Sequence, residues 1–446
     1  MEYVLVSRSI RQFSKESFRG QHGLLRSVSD WVSWSYQSVS LPDARLKKRL
    51  FVLSEALFSR PLDSMNQALG SWSGAKGAYR FIENDSVSAE DLKAPIADAT
   101  ALACNGEKEI IVVQDTTTLS FSSARGAEGL GPVNDDSKAR GMLLHPALAL
   151  DTDGSAIGLL DWQSWSRPLT KRSTPEEYRR LPMDQKESGK WLGGMERSRK
   201  AMNRILPCEK QARLIHVFDR EGDVHEIFEN ALFCKDGAVV RSSHNRRVLT
   251  EDERGALAHE AVRKAPLLGT ALIQVPRKQG QKKREAEVQL RCRRMKLTPN
   301  RSQHPDREWI DLNLVEVFEA QAPPDIQPLH WLLWTTENAT NLEQAMRIVE
   351  IYKYRWRIEE FHLILKSGCR IEALQFSTAE RLSKVVALYA PIALRILQLR
   401  DFSRTKPKLF ATAILSEAQW KALWTYIYQK PPPCGTSPPD IRQTIL

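Results

Sequence analysis

Three acidic residues in this sequence stand where carboxylates can hold metal ions. Asp115 ends the apolar run EIIVVQD, Asp219 ends RLIHVFD, and Glu359 lies in RWRIEEFH, a segment of helical periodicity. A carboxylate at the end of a buried strand is held rigidly at the rim of a sheet yet stays open to solvent. Two of these, with a third from a packed helix, can hold two divalent cations. Carboxylate oxygens suit magnesium, which keeps waters and accepts substrate phosphates. A metal pair lowers the pKa of an attacking water and stabilises the leaving oxygen of an in-line phosphoryl displacement. Each aspartate alone also fits a plainer reading, as a turn former or helix cap.

Glu359 carries more information through its neighbours. Tyr352, Arg355, Glu359 and Lys366 follow at spacings of 3, 4 and 7, which at about 100° per residue confines them to a stripe roughly 60° wide. Ile358, Phe361, Ile364 and Leu365 point elsewhere and are candidates for the core. A polar stripe on a largely apolar helix is costly unless it is paired or faces a ligand, and a phenol, a guanidinium, a carboxylate and an ammonium suit a metal and phosphates. The other reading is an internal salt-bridge ladder, since Arg355 and Glu359 are i,i+4. Glu360 lies off the stripe and is the weaker ligand candidate.

The elements that position these residues follow from periodicity. Residues 28 to about 100 read as helical; in DARLKKRLFVLSEALFSRP, Leu46, Leu50, Leu53 and Leu57 form one face. Arg45, Lys47, Lys48 and Arg49 fall in its first turns, where positive charge opposes the helix dipole and calls for an anionic partner or plain solvent. From Glu109 the pattern turns to strands: EIIVVQ, then MLLHPALALDTDGSAIGLLDWQSW as a hairpin about Asp153-Gly154, then RLIHVF and AVVRSS. Residues 270 to 337 are β-rich, with alternation in EAEVQLRC and IDLNLVEVF. Between Val275 and Arg301 there are ten Lys or Arg against two Glu, and Arg277 to Arg284 fit a basic hairpin tip. From Asn341, a capping box (Asn341 with Gln344) opens one helix predicted to run through LEQAMRIVEIYKYRWRIEEFHLILKSG and stop at Gly368. Further helices are predicted to about residue 428. Trp331, near the basic hairpin, fits either a core position or a face on which an unpaired base stacks.

Composition agrees with a polyanionic partner: the formal net charge over 446 residues is +11. The longest apolar stretch, Val385 to Leu394, has ten residues and contains Pro391, which reads as a buried helix rather than a span. The N-terminus lacks the apolar core of a secretory signal. Six scattered cysteines without a C-x-x-C pair, and nine histidines outside zinc spacing, point to a reducing cytoplasm and no structural zinc.

The segment YKYRWRIEEFH, with Lys366 beyond it, resembles the Y-(2)-R-(3)-E-(6)-K signature of bacterial DDE transposases of the IS-four family, the family of the Tn-five transposase. DTTTLSF at Asp115 and FDREGD at Asp219 are similar to that family's other two catalytic segments. GAYRFI at Gly77, ESGKWL at Glu187, VVRSSH at Val239 and WLLWTT at Trp331 support the likeness, which runs from about Asp30 to Arg400.

The resemblance implies an α/β fold: an RNase H-like catalytic core (101–372) with a β-rich insertion at about 235–337. It implies a helical domain at 28–100 that binds transposon-end DNA, and a helical C-terminal region at 373–446 that dimerises. It implies Asp115, Asp219 and Glu359 as catalytic metal ligands for two Mg2+ ions, with Mn2+ able to substitute. Tyr352, Arg355 and Lys366 match positions that hold DNA phosphates near the cut. Trp331 matches the position on which a flipped base stacks, and Arg241 a DNA-contacting arginine. The implied reaction is cut-and-paste transposition: a nick, a hairpin, its resolution and transfer to target DNA, carried out by a homodimer on double-stranded ends in the bacterial cytoplasm, with the nucleoid and with no membrane.

Two departures stand out. Residues 1–27 have no counterpart in the pattern, and Leu363 stands where a relative carries a lysine. The chain stops at Leu446, short of the family's dimer helices. The corresponding expectations are a mainly monomeric protein with weak cleavage and, as the alternative function, a shortened DNA-binding regulator of transposition.

Overall fold

The computed structural model describes residues 27–121, 126–134, 139–169, 177, 181, 185–252, 254–275, 284–299, 308–405, 407–408, 410–413, 415 and 417–441. The N-terminal extension and the tip of the basic hairpin lie outside these residues.

The described chain opens with helices α1 (Val28–Ser35), α2 (Ala44–Ser59), α3 (Met65–Leu69), α4 (Trp72–Ile82) and α5 (Ala89–Ala103). Each starts where a Ser or Asp side chain accepts a backbone N–H of the first turn: Ser27, Asp43, Ser64, Ser71 and Ser88. Asp43 also answers the basic start of α2, since Arg45 pairs with it at 2.7 Å, while Lys47 and Lys48 stay exposed. Arg49 lies across Gly77 of α4, where a Cβ would stand 2.6 Å from the guanidinium. Leu50, Leu53 and Leu57 are buried as the periodicity predicted.

Beyond α5 the fold is mixed α/β, built on one large mixed sheet. Its strands are β1 (Glu109–Gln114), β2 (Thr117–Ser120), β3 (Gly131–Pro132), β4 (Arg140–Leu150), β5 (Ala156–Trp165), β6 (Arg213–Phe218), β7 (Gly237–Arg241), β8 (Arg247–Thr250), β9 (Gly255–Leu257), β10 (Leu267–Val275), β11 (Arg284–Leu297), β12 (Ile310–Phe318) and β13 (His330–Thr335). Strands β1, β6 and β7 run parallel, β4 lies antiparallel beside β1, and β5 pairs with β4 about the Gly154 turn. Strand β13 pairs antiparallel with β7 and carries the sheet on through β12, β11, β8 and β9. Strands β10 and β11 are the arms of the predicted basic hairpin, with Val275 opposite Arg284.

The central strands are buried on both faces, as parallel strands must be. Ile110, Val112 and Leu214 pack with α5 and with α6 (Gly189–Ile205); Ile111, Val113, Ile215 and Val217 face the other way, into the core shared with the C-terminal helices. Strand β12 departs from the alternation read in its sequence, because both faces are covered. Leu312 and Leu314 pack with α8 (Ala258–Arg263), while Val315 and Val317 join the core that contains Ala345 and Ile348. Helix α7 (His225–Phe233) packs on β7.

The helix predicted from Leu342 to Gly368 is broken. It comprises α9 (Leu342–Lys353), a tight turn at Tyr354 and Arg355, α10 (Trp356–Leu363), and a π-turn at Ile364–Gly368 closed by Cys369 N–H on the Ile364 carbonyl. At the break the amides of Tyr354 and Arg355 reach back only three residues, to Ile351 and Tyr352. The cause lies across the fold. Tyr354 packs so closely on Gly154 that a Cβ there would stand 2.3 Å from the ring, and its hydroxyl donates to the Thr152 carbonyl. The Asn341 cap forms, but Gln344 bonds back to Thr340, one residue before the expected partner. Helix α11 (Ala379–Thr405) contains the apolar stretch at 385–394. It is long and apolar enough to cross a membrane, yet its most apolar 18 residues are 83% buried inside the protein. Helix α12 (Glu417–Tyr428) follows.

The fold makes His216 of β6 a source of acid sensitivity. The ring is fully buried without a hydrogen-bond partner, and burial, then the charge of Arg199, pushes its pKa down to about 3. The unfolded chain therefore binds one more proton between about pH 6.5 and 3, and stability falls with pH by up to about 1.4 kcal/mol per unit from this group. His216→Phe is expected to flatten the fall in urea-unfolding free energy between about pH 6.5 and 4.5 by that slope. An unchanged slope would mean that the native ring already carries the proton.

Candidate active site

Strand parity aims the two aspartates. In the parallel β1–β6 pair, Val113 stands opposite Val217. Two residues on, Asp115 and Asp219 leave the ends of adjacent strands at the same level, on the face of Ile111, Val113, Ile215 and Val217. That is the face onto which α10 packs through Ile358 and Phe361, so Glu359 arrives from the covering layer. The carboxyl ends of adjacent parallel strands are where open α/β sheets generally place their ligands.

The three carboxylates act on one another. Burial first, then the charge of Asp219, pushes the Asp115 carboxyl up to about 6; Glu359 adds to the rise, while Arg355 and the Thr116 N–H oppose it. Asp115 Oδ1 accepts that N–H at 2.7 Å. Arg355 ties the group together, with Nη1 3.4 Å from Asp115 Oδ2 and Nη2 2.6 Å from Glu359 Oε1. Asp219 additionally caps the turn after β6, accepting from Glu221 N–H at 2.8 Å. The capping reading and the ligand reading of this residue are thus compatible.

Among the described residues, no three His, Cys, Asp or Glu side chains stand in a cluster ready to hold a metal ion. At this centre the Arg355 guanidinium pairs with both Asp115 and Glu359 and supplies the positive charge. The donor set itself fits a hard divalent cation: all three groups offer carboxylate oxygens, and burial, with the charges of Asp219 and Glu359, raises Asp115.

Glu360 points away. It pairs with Arg357, with Arg400 at 2.9 Å and with Arg404 at 3.4 Å, away from Asp115, in keeping with its place as the weaker ligand candidate.

Of the other stripe residues, Tyr352 lies near enough to Arg355 and Asp219 to feel their charge, while Lys366 stands beside His362. Tyr352 is buried and meets the edge of Trp331 with ring centroids 5.2 Å apart. Burial pushes its phenol pKa up, while Arg241 and Arg355 pull against the shift. Arg241, on β7, donates to the His330 carbonyl at 3.4 Å. Trp331 is half-buried on β13, between the core and the surface. Lys366 is half-buried in the π-turn, and its charge is felt at buried His362 of α10.

Several supports were not singled out in the sequence. Lys190 of α6 is buried and pairs with Glu221 at 3.2 Å, beside the Asp219 turn, while Glu187 of the same ESGKWL stretch pairs with Arg167. Asp223 accepts the Ser243 N–H at 2.8 Å and fixes the loop after β7. Arg357 pairs with Asp401 and donates to the Gly154 carbonyl, and Asp401 accepts the Ala156 N–H. Asp401 stands in QLRDFSRT, where charged, polar and apolar residues mix, so the sequence carried no signal for this role.

Comparison with known proteins gives two family matches. Residues 28–87 match the transposase DNA-binding family, and residues 152–390 match the transposase DDE domain. The second match contains Asp219 and Glu359 and begins after Asp115. Among solved structures, a piggyBac transposase synaptic complex with hairpin DNA aligns over 92% of this chain and 77% of its own, at 10% identity and a TM-score of 0.35, too distant to carry an argument.

Proposed function

Since the chain belongs to the family of transposases with a DDE domain and is a DNA transposase, we propose that it performs cut-and-paste transposition of the IS-four kind, with Asp115, Asp219 and Glu359 as its catalytic carboxylates. The observation that carries this reading is the parallel register of Val113 and Val217, which sets both aspartates at one level beneath the helix of Glu359. The order β5-β4-β1-β6-β7, with β1, β6 and β7 parallel and β4 antiparallel to both β1 and β5, supports an RNase H-like core, with β8 to β13 as its insertion and β7, inside the expected 235–337, on the core side of its boundary.

In this reading the three carboxylates hold divalent ions, magnesium or manganese, which supply Lewis-acid activation of a water or 3′-hydroxyl and stabilise the leaving oxygen. Arg355 bridges Asp115 and Glu359, and would be free to meet a DNA phosphate where cations satisfied those carboxylates. Its planar fork suits either partner. Tyr352, Arg241 and Lys366 hold the backbone near the cut, and the half-buried Trp331 stacks on a flipped base while Tyr352 packs against its ring. The helices at 28–100 bind the transposon end, and two copies of the chain pair two ends before transfer to target DNA.

The experiment is a strand-resolved cleavage assay on the terminal repeats flanking the protein's own gene, with Mg2+ and with Ca2+. Nicking in Mg2+ alone supports the reading, and no cleavage product at any end would defeat it. In the same assay Trp331→Ala is expected to slow hairpin formation about tenfold to a hundredfold, the worth of one stacked base at roughly 1–3 kcal/mol, and to spare the first nick. Equal slowing of both steps would make Trp331 a packing residue.

A further inference from the structure

The ladder between β1, β2 and β4 has a gap at the first aspartate. Strand β4 pairs with β2 up to Thr117–Leu144 and with β1 from Gln114–Ala147 onward. Asp115 and Thr116 therefore face His145 and Pro146 without ladder bonds. Pro146 has no N–H to give, which suits a break. His145 fills the gap with its side chain. Nδ1 lies 2.9 Å from Thr116 Oγ1, and Nε2 lies 3.1 Å from Gln114 Oε1.

These partners fix the tautomer. Burial, then the charge of Lys190, holds the His145 pKa well below its usual value, so the ring is neutral. Gln114 Oε1 can only accept, so Nε2 carries the hydrogen and Nδ1 accepts from the Thr116 hydroxyl. The surroundings hold the ring in this pose: Trp191 meets it edge-on at 4.6 Å. Gln114 is received by Gly194 of α6, where a Cβ would stand 2.1 Å from its Oε1.

We propose that His145 is a positioning residue for Asp115: it bridges the residues on either side of that aspartate across the gap in the β4 ladder and so fixes the carboxylate for divalent-cation binding. The bond at issue is direct, since the N–H of Thr116, whose hydroxyl is tied to His145, is the one that Asp115 Oδ1 accepts. The inference rests on the reading of Asp115 as a metal ligand.

The test is titration of the full chain with Mn2+ alone, following free Mn2+ by electron paramagnetic resonance, together with thermal unfolding in EDTA. Thr116→Val keeps the shape and removes the hydroxyl, and His145→Leu removes the bridge. Each is expected to weaken Mn2+ binding about threefold to tenfold, the scale of one hydrogen bond. The double variant should be no weaker than the worse single one, and unfolding in EDTA should show every variant folded at the temperature of the titration. Wild-type Mn2+ affinity in Thr116→Val, or additive losses in the double variant, overturns the proposal. Asp115→Ala separates the two layers of the argument: undiminished Mn2+ binding there removes Asp115 as a ligand, whereas loss there with none in Thr116→Val removes only His145.

Discussion

Glu359→Ala is expected to abolish strand cleavage while sparing DNA binding, and Glu360→Ala, one residue on, to keep cleavage and lose stability. Glu359 reaches Arg355 and, through it, Asp115. In the proposed centre its removal would take away one of three carboxylates that hold the transition-state charge, a loss on the scale of roughly 10²–10³-fold. DNA binding rests on the separate helices that match the DNA-binding family at 28–87. Glu360 instead faces the guanidiniums of Arg357, Arg400 and Arg404. Its loss leaves three positive groups without their shared anion and costs about 1.5–3 kcal/mol. Nicking, gel shift and melting on the two variants decide the matter: full cleavage by Glu359→Ala ends the assignment, and cleavage lost only in Glu360→Ala moves the ligand by one position.

The second large effect is expected at Arg357. Its guanidinium pairs with Asp401 of α11, and both side chains are nearly buried, at 13% and 9% exposure. Arg357 also holds the Gly154 carbonyl, and Asp401 the Ala156 N–H. The pair thus clamps the β4–β5 turn, the break before α10 and the long core helix together. Removing one partner strands the other charge inside the protein, so Arg357→Ala is expected to cost about 3–5 kcal/mol in urea unfolding. Cleavage should fall with it, because the turn that shapes the approach to Glu359 is released. The apolar double replacement Arg357→Met with Asp401→Leu should unfold less readily than either single alanine variant. A double variant weaker than both would show that the contacts to Gly154 and Ala156, rather than the stranded charge, carry the clamp.

Much of the site was legible in the chain because it depends on short-range pattern. The runs before Asp115 and Asp219 read as buried strands, and parity alone then sets which face each aspartate meets. The stripe of Tyr352, Arg355 and Glu359 survived even though its helix did not. Tyr354 keeps near-helical angles (φ −68°, ψ −12°), so the periodicity runs through a break whose contact, Gly154, lies 200 residues away in the chain. His145 stayed hidden for a similar reason: one polar residue in MLLHPALAL gives no sign of partners 29 and 31 positions upstream. The alternation in IDLNLVEVF suggested a single buried face because the second covering layer comes from other segments. The role of Arg355 as a bridge between two carboxylates depends on a contact from α10 to β1, which spacing within one helix cannot supply.

The common level of Asp115 and Asp219 also limits how this gene can drift. Side chains along a strand alternate faces, so the residues in EIIVVQ and RLIHVF can be exchanged among apolar types with little effect on where the aspartates point. Adding or deleting a single codon between Glu109 and Asp115 would turn that carboxylate to the opposite side of the sheet, toward α5 and α6. Selection therefore acts on the count of residues in these two segments more stringently than on their identity. Descendants of this sequence should diverge by substitution there long before they diverge in length.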